Sequence, residues 1–162
     1  MRGYINLFPY TMVHLNPKSF IDVFSKRIKP GRFCIEVSEQ QIVGDPTRLA
    51  EAAKEFRKLG FLIAMDDIGF GRSNLETLLV LEPDVIKIDR RFIDGVSKNE
   101  PQKRMMERTL NIVRSTNAEI IAEGIEDPAD YEVLKNMGVP IGQGFYWGKP
   151  APLSESQNRR AA

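Results

Sequence analysis

The chain has 162 residues, 42% of them hydrophobic and 28% charged, with 23 Lys+Arg against 22 Asp+Glu. This describes one globular domain that buries about two-thirds of its unfolded surface, and a net charge of +1 excludes a nucleic-acid coat or a polybasic membrane patch. A single Cys (Cys34) and a single His (His14) exclude an intramolecular disulfide and a His-rich metal site.

The elements follow in chain order. Tyr4–Phe8 is a β-type apolar run. Asn6 and Pro9 interrupt the opening stretch, so it does not read as a signal peptide, and no run of about 18 apolar residues spans a bilayer. A cytoplasmic location is the default expectation. Asn16-Pro17 opens a helix, and Phe33–Val37 is the second run. Asp45-Pro46 pairs an N-cap with Pro at the first helical position, and Gly60 closes that helix. Phe61–Met65 follows. Ser73 and Glu76 form a capping box for a helix ending near Leu81. Val85–Ile88 is the fourth run, and Pro101–Thr116 is the longest expected helix. Glu119–Ala122, a helix from Asp127-Pro128 to Gly138, and Gly142–Trp147 complete the series. The tail Ser154–Ala162 is polar. Alternating strands and helices predict an α/β fold with a mostly parallel sheet of about six strands.

The polar residues within these apolar runs carry the functional signal. Asn6, Glu36, Asp66-Asp67, Lys87, Glu123 and Gln143 stand one group per strand, near each carboxyl end, at βα-unit intervals. Sites of parallel α/β folds form at that end of the sheet. Singly, each has an ordinary structural alternative: a turn aspartate, an edge-strand glutamate or a snorkelling lysine. Jointly, so many charges at one mouth require compensation. Asn6, Glu36, Asp66, Asp67 and Glu123 offer only oxygen, which suits Mg²⁺ or Mn²⁺ rather than zinc. Adjacent Asp66 and Asp67 could bridge two ions about 4 Å apart, and Lys87 could hold the attacking water or a phosphate oxygen. This set points to phosphate-ester hydrolysis. The loop Ile68–Asn74 reads equally as a phosphate cradle or as a βα connection with two glycines. Arg91 could meet a phosphate or form a surface ion pair.

Ile35-Glu36-Val37-Ser38-Glu39, Asp66-Asp67-Ile68-Gly69-Phe70-Gly71, Ile86-Lys87-Ile88-Asp89, Ala122-Glu123-Gly124-Ile125-Glu126 and Gly142-Gln143-Gly144-Phe145 resemble, in order, the motifs of the EAL-domain cyclic-di-GMP phosphodiesterases. Asn6 in Ile5-Asn6-Leu7 resembles the family's strand Asn. The resemblance runs from about Tyr4 to Pro152. It implies a partial (β/α) TIM-like barrel over residues 1–153 and Mg²⁺- or Mn²⁺-dependent opening of cyclic di-GMP to linear pGpG. It also implies metal ligation by Asn6, Glu36, Asp66, Asp67 and Glu123, with Lys87 positioning the water. Glu123 would also serve catalysis, Glu39 would brace the loop after Asp67, and Gln143 would line the substrate site.

Two departures stand beside it. The namesake Glu-Ala-Leu segment, which carries a metal-ligating Glu, is absent from these residues, so the chain reads as N-terminally truncated. Ile68, Phe70 and Arg72 replace the usual Phe, Thr and Tyr. The expectations are therefore a phosphodiesterase module, or alternatively a catalytically silent cyclic-di-GMP receptor or protein-interaction module. Open sheet edges at the first and last runs further predict a homodimer or swapped oligomer.

Overall fold

The computed structural model describes residues 2–23, 29–43, 45–68 and 75–152. The loop 69–74, the Ser73 half of the expected capping box and the tail Ser154–Ala162 lie outside the described residues. Six strands form one parallel sheet in sequential order: β1 (Gly3–Asn6), β2 (Phe33–Ser38), β3 (Leu62–Ile68), β4 (Val85–Ile88), β5 (Glu119–Ala122) and β6 (Ile141–Gly142). Parallel neighbours need a crossover. The crossovers carry α1 (Pro9–His14), α2 (Pro17–Val23), α3 (Thr47–Lys58), α4 (Leu75–Leu81), α5 (Arg90–Ile93), α6 (Glu100–Arg114) and α7 (Pro128–Asn136).

Local chemistry sets the boundaries. Asp45 Oδ1 accepts from Thr47 N–H at 2.8 Å, and Gly60 ends that turn at φ 92°. Asp127 Oδ1 accepts from Ala129 N–H, and Gly138 follows α7 at φ 74°. Asn16 Oδ1 accepts from Lys18 N–H. Alternation along the strands then sorts the side chains. Ile35, Val37, Ile63, Met65, Ile86, Ile88 and Ile120 pack against the helices, joined by Phe56, Phe92, Met106 and Leu110. The other face carries a smaller apolar layer of Cys34, Leu62, Ala64, Val85 and Ile121. Burial pushes the Cys34 thiol up to about 12, so it is an inert packing group.

The sheet is curled. Arg2, which precedes β1, pairs with Glu119 of β5 at 2.6 Å. In a flat sheet four strand spacings would separate them by about 19 Å. The curl turns the small apolar face inward as half of a barrel. The sixth run departs from its expected form: only Ile141–Gly142 pairs with β5, and Phe145–Trp147 is a 3₁₀ turn. There Tyr146 N–H donates to the Ile125 carbonyl, and the Trp147 ring stands over Gly142. The chain leaves the sheet to place its aromatic rings. Among the described residues no helix is long and apolar enough to cross a membrane.

Candidate active site

β2 places Cys34, Glu36 and Ser38 on the inner face by its two-residue period. The same parity puts Lys87 inward from β4, so Glu36 and Lys87 meet although β3 lies between them. Lys87 Nζ is 2.6 Å from Glu36 Oε1, 2.6 Å from Glu123 Oε1 and 3.4 Å from Asp66 Oδ1. Only 7% of the Lys87 side chain is exposed.

Asp66 and Asp67 are adjacent, and in a regular strand they would face opposite sides. The pairing of β3 with β4 shifts between Met65 and Ile68, so the extra residue falls at this pair. Asp67 takes φ 59°, a left-handed conformation uncommon for a non-glycine residue. The bulge brings Asp67 round beside Asp66, and both line one cavity with Asn6, Leu7, Phe8, Glu36, Ser38 and Gln41. Its volume is about 240 Å³. Asp66 Oδ1 accepts from Asp67 N–H at 2.9 Å, and Ser38 Oγ donates to Asp67 Oδ2 at 3.0 Å.

One ammonium faces three carboxylates. Desolvation works to lower Lys87, but hydrogen bonds to Glu123 and Glu36 outweigh it and hold Lys87 protonated, well above the usual lysine range. Burial pushes the Glu123 carboxyl up to about 7; Lys87 opposes that rise and Asp66 adds to it. Among the described residues no three His, Cys, Asp or Glu side chains surround a ready metal position, because these carboxylates turn onto Lys87. The oxygen-only donors and their excess negative charge fit a hard divalent cation, provided that Lys87 shares its partners.

The remaining expected residues are more dispersed. Asn6 lines the cavity. Glu39 sits in a 3₁₀ turn, Glu39–Gln41, with a buried Oε2 that has no hydrogen-bond partner among the described residues; the loop it was expected to brace lies outside them. Gln143 directly follows β6, and its backbone ties to the β5 exit through Gln143 N–H to the Ala122 carbonyl and Ile125 N–H to the Gln143 carbonyl. Its side chain is exposed. The Arg91 guanidinium is held by Asp89 Oδ2 at 2.6 Å, which realises the ion-pair alternative.

A profile described as EAL domain matches residues 5–150. The chain belongs to the EAL domain family. A probable cyclic di-GMP phosphodiesterase, PdeA of Escherichia coli (strain K12), is 29% identical over 153 residues, which are 93% of this chain and 21% of PdeA. The chain spans about a fifth of the length of the curated relatives it matches most fully. The crystal structure of the EAL domain of Mycobacterium smegmatis DcpA superposes with a TM-score of 0.91 at 26% identity, covering 99% of this chain and 73% of that one. The PaMucR phosphodiesterase, in complex with c-di-GMP, gives a TM-score of 0.85 at 26% identity over 96% of this chain and 64% of that one. A manganese and cy-diGMP complex of Klebsiella pneumoniae BlrP1 shares the fold at 24% identity and a TM-score of 0.83, over 93% of this chain and 39% of that one. The curled six-stranded sheet is therefore a partial TIM-like barrel of the EAL type.

Within this EAL domain, the sequence reading gave Ser38 no role, although its position two residues after Glu36 was a signal for the same face. Gln41 carried no signal, since it enters the cavity from an irregular turn. Asp89 was seen only as part of a motif. It caps α5, accepting from Arg91 N–H at 2.7 Å as well as from the guanidinium. Burial works to raise the Asp89 carboxyl, but the bonds from Arg91 prevail and hold it below the ordinary range. Asp89→Ala should therefore cost about 1 kcal/mol at neutral pH, as for a lost N-cap. A depressed carboxylate contributes stability above its unfolded pKa and loses it as pH falls through the folded value. Denaturant curves for wild type and variant should accordingly converge as pH drops below about 4; a gap that persists there would contradict the capping role.

Proposed function

We propose that this chain is a divalent-metal-dependent phosphodiesterase module that hydrolyses cyclic di-GMP to pGpG. The observation that carries the reading is the meeting of Glu36, Asp66, Lys87 and Glu123 at the strand carboxyl ends, beside a cavity lined by Asn6 and Asp67. Asn6, Glu36, Asp66, Asp67 and Glu123 would hold Mg²⁺ or Mn²⁺. Bound there, such ions supply Lewis acidity to phosphate oxygens and lower the pKa of water. Lys87 donates to the attacking water or a phosphate oxygen, Ser38 fixes Asp67, and Gln143 contacts substrate at the rim. Arg91 adds positive potential at the mouth. Glu39 supports the neighbouring loop. Hydrolysis adds one water across one P–O bond, leaving a terminal phosphate and a free hydroxyl on the linear product.

The test is turnover of cyclic di-GMP with Mg²⁺ or Mn²⁺. Asp66→Ala should reduce it more than about 100-fold, beyond the usual effect of residues that merely orient metal ligands. Absence of turnover by the wild type with either metal would end the enzymatic reading. A second reading, a silent cyclic-di-GMP receptor, is favoured by the closure of the carboxylates on Lys87; calorimetry would then show binding without product.

β1 and β6 each pair on one side only among the described residues. Such edges invite pairing with another chain, and we propose that two copies associate through them. Light scattering should give a dimer mass at micromolar concentration; a monomer at the highest soluble concentration would refute the association.

A further inference from the structure

Lys87 has a partner that is not a carboxylate. Side chains alternate along β1, so Tyr4 shares the inner face with Asn6, two residues further on. Asn6 lines the carboxylate cavity, and the Tyr4 ring lies in the lumen on the amino-terminal side of it. The Lys87 ammonium stands over that ring, 5.9 Å from its centroid, within the reach of about 6 Å for a cation–π contact. β1 and β4 are three strand spacings apart in the sheet, so its curl makes the contact. The ammonium is buried, where such a contact is worth more than at an open surface.

Tyr4 is fixed from two sides. Its backbone pairs in register with Cys34 of β2. Its hydroxyl accepts from Arg2 Nη1 at 3.4 Å, and the same Nη1 is 2.6 Å from Glu119 Oε1 on β5. Arg2 thereby links the ring to the side of the lumen that β5 forms beside Lys87. The hydroxyl bond is long and weak, so the ring face carries the effect on Lys87.

The two kinds of partner respond differently to a cation. Glu36, Asp66 and Glu123 hold the ammonium, but a divalent ion in the proposed site draws on the same oxygens. A ring face is no ligand for a hard ion and keeps its hold when the carboxylates turn. Without it, a lysine on a flexible four-carbon stem gains freedom at that moment, and lost orientation of a reacting group is lost rate.

We propose that Tyr4 is a positioning residue, whose ring holds the Lys87 ammonium in place while metal ions occupy its carboxylate partners. The inference rests on the proposed function and adds to it a residue that acts through Lys87.

Tyr4→Leu keeps apolar bulk and removes the ring, whereas Tyr4→Phe keeps the ring and removes the hydroxyl. Tyr4→Met, a more pliable filler, should behave as Tyr4→Leu does. The position is on an edge strand and 38% exposed, and circular dichroism should match wild type in all three. In Mn²⁺, Tyr4→Leu and Tyr4→Met should lower kcat for cyclic di-GMP by about 5- to 10-fold, as for one partly desolvated cation–π contact. KM should stay within about twofold, since the loss falls on orientation and not on substrate binding. Tyr4→Phe should remain within about twofold of wild type in both constants.

A second readout needs no turnover. Reductive methylation of Lys87, followed by peptide mass spectrometry, should be equally slow in every protein in chelator, where the carboxylates hold the ammonium. In Mn²⁺ without nucleotide, it should run about fivefold faster in Tyr4→Leu and Tyr4→Met than in wild type and Tyr4→Phe. A Tyr4→Leu enzyme as fast as wild type, a Tyr4→Phe enzyme as slow as Tyr4→Leu, a rise in KM at constant kcat, or labelling in Mn²⁺ that ignores position 4 would each overturn the positioning role and leave the proposed function standing. A wild type without turnover, in which Mn²⁺ changes neither the melting temperature nor the labelling of any variant, would remove both.

Discussion

Lys87→Met should lower stability by about 3–5 kcal/mol in chelator and abolish cyclic di-GMP hydrolysis. The cost follows from what is left behind. Lys87 Nζ is shared by Glu36, Glu123 and Asp66, whose side chains are 7%, 18% and 15% exposed. Removing one partner from a buried ion pair leaves uncompensated charge, and such losses fall in the range of about 3–5 kcal/mol. For a domain of this size the midpoint of thermal unfolding should drop by roughly 10 °C. The distinguishing result lies in the metal dependence. With the ammonium gone, its carboxylates are available together, so Mn²⁺ should raise the melting temperature of the variant by several degrees more than that of wild type. The stabilisation should follow the logarithm of free metal over its dissociation constant. A variant that melts like wild type would mean that solvent screens the cluster. One that is destabilised but gains no more from Mn²⁺ than wild type would mean that these oxygens do not converge on a cation position.

Part of this site is legible in the amino-acid sequence, and the reason is periodicity. A polar residue inside an apolar strand stands out against its neighbours, and Glu36, Lys87 and Glu123 each do so at the same end of consecutive βα units. Their convergence follows from parallel topology alone, whatever the side-chain rotamers. Asp66 and Asp67 were legible as a pair bound for one site, but not the means that turns both to one face: the register shift between Met65 and Ile68 and the positive φ of Asp67. Neither leaves a mark in sequence. The role of Lys87 as the counter-ion of three carboxylates was also hidden, because spacing locates residues and not their ionic partners. The short helix α1 shows another kind of limit. Pro9 reads only as a break in the apolar opening stretch, yet it is the first helical residue of Pro9–His14. The Arg2–Glu119 pair, separated by 117 positions, depends wholly on the curl of the sheet.

The last run, Gly142–Trp147, reads as one more apolar β-type run, yet most of it is committed elsewhere, and the commitment predicts a large mutational effect. A Cβ placed on Gly144 would collide with the backbone of Ile125. The backbone there is extended, at φ 160°, so the requirement for glycine is space and not conformation. Ile125 cannot retreat cheaply. Its N–H donates to the Gln143 carbonyl and its own carbonyl accepts from Tyr146 N–H, both at 3.0 Å, and its side chain is 1% exposed in the core. Gly144→Ala should therefore cost about 3 kcal/mol, at the upper end of ordinary overpacking, and lower the melting midpoint by roughly 5–10 °C. Gly142→Ala makes the informative control. Its Cβ would meet the Trp147 ring at 2.7 Å and the Ile125 Cδ1 at 2.8 Å, both side-chain atoms. Trp147 is half exposed and can swing aside, so this change should cost about 1 kcal/mol. The two variants should also differ in function. Displacing Ile125 disturbs the β5 exit two residues after Glu123, so Gly144→Ala should lose cyclic di-GMP turnover even at temperatures where it remains folded, while Gly142→Ala should retain most of it. Equal melting points for the two would contradict the assignment of the clash to backbone, and a fully active Gly144→Ala would show that the Gln143 segment does not hold Glu123 in place.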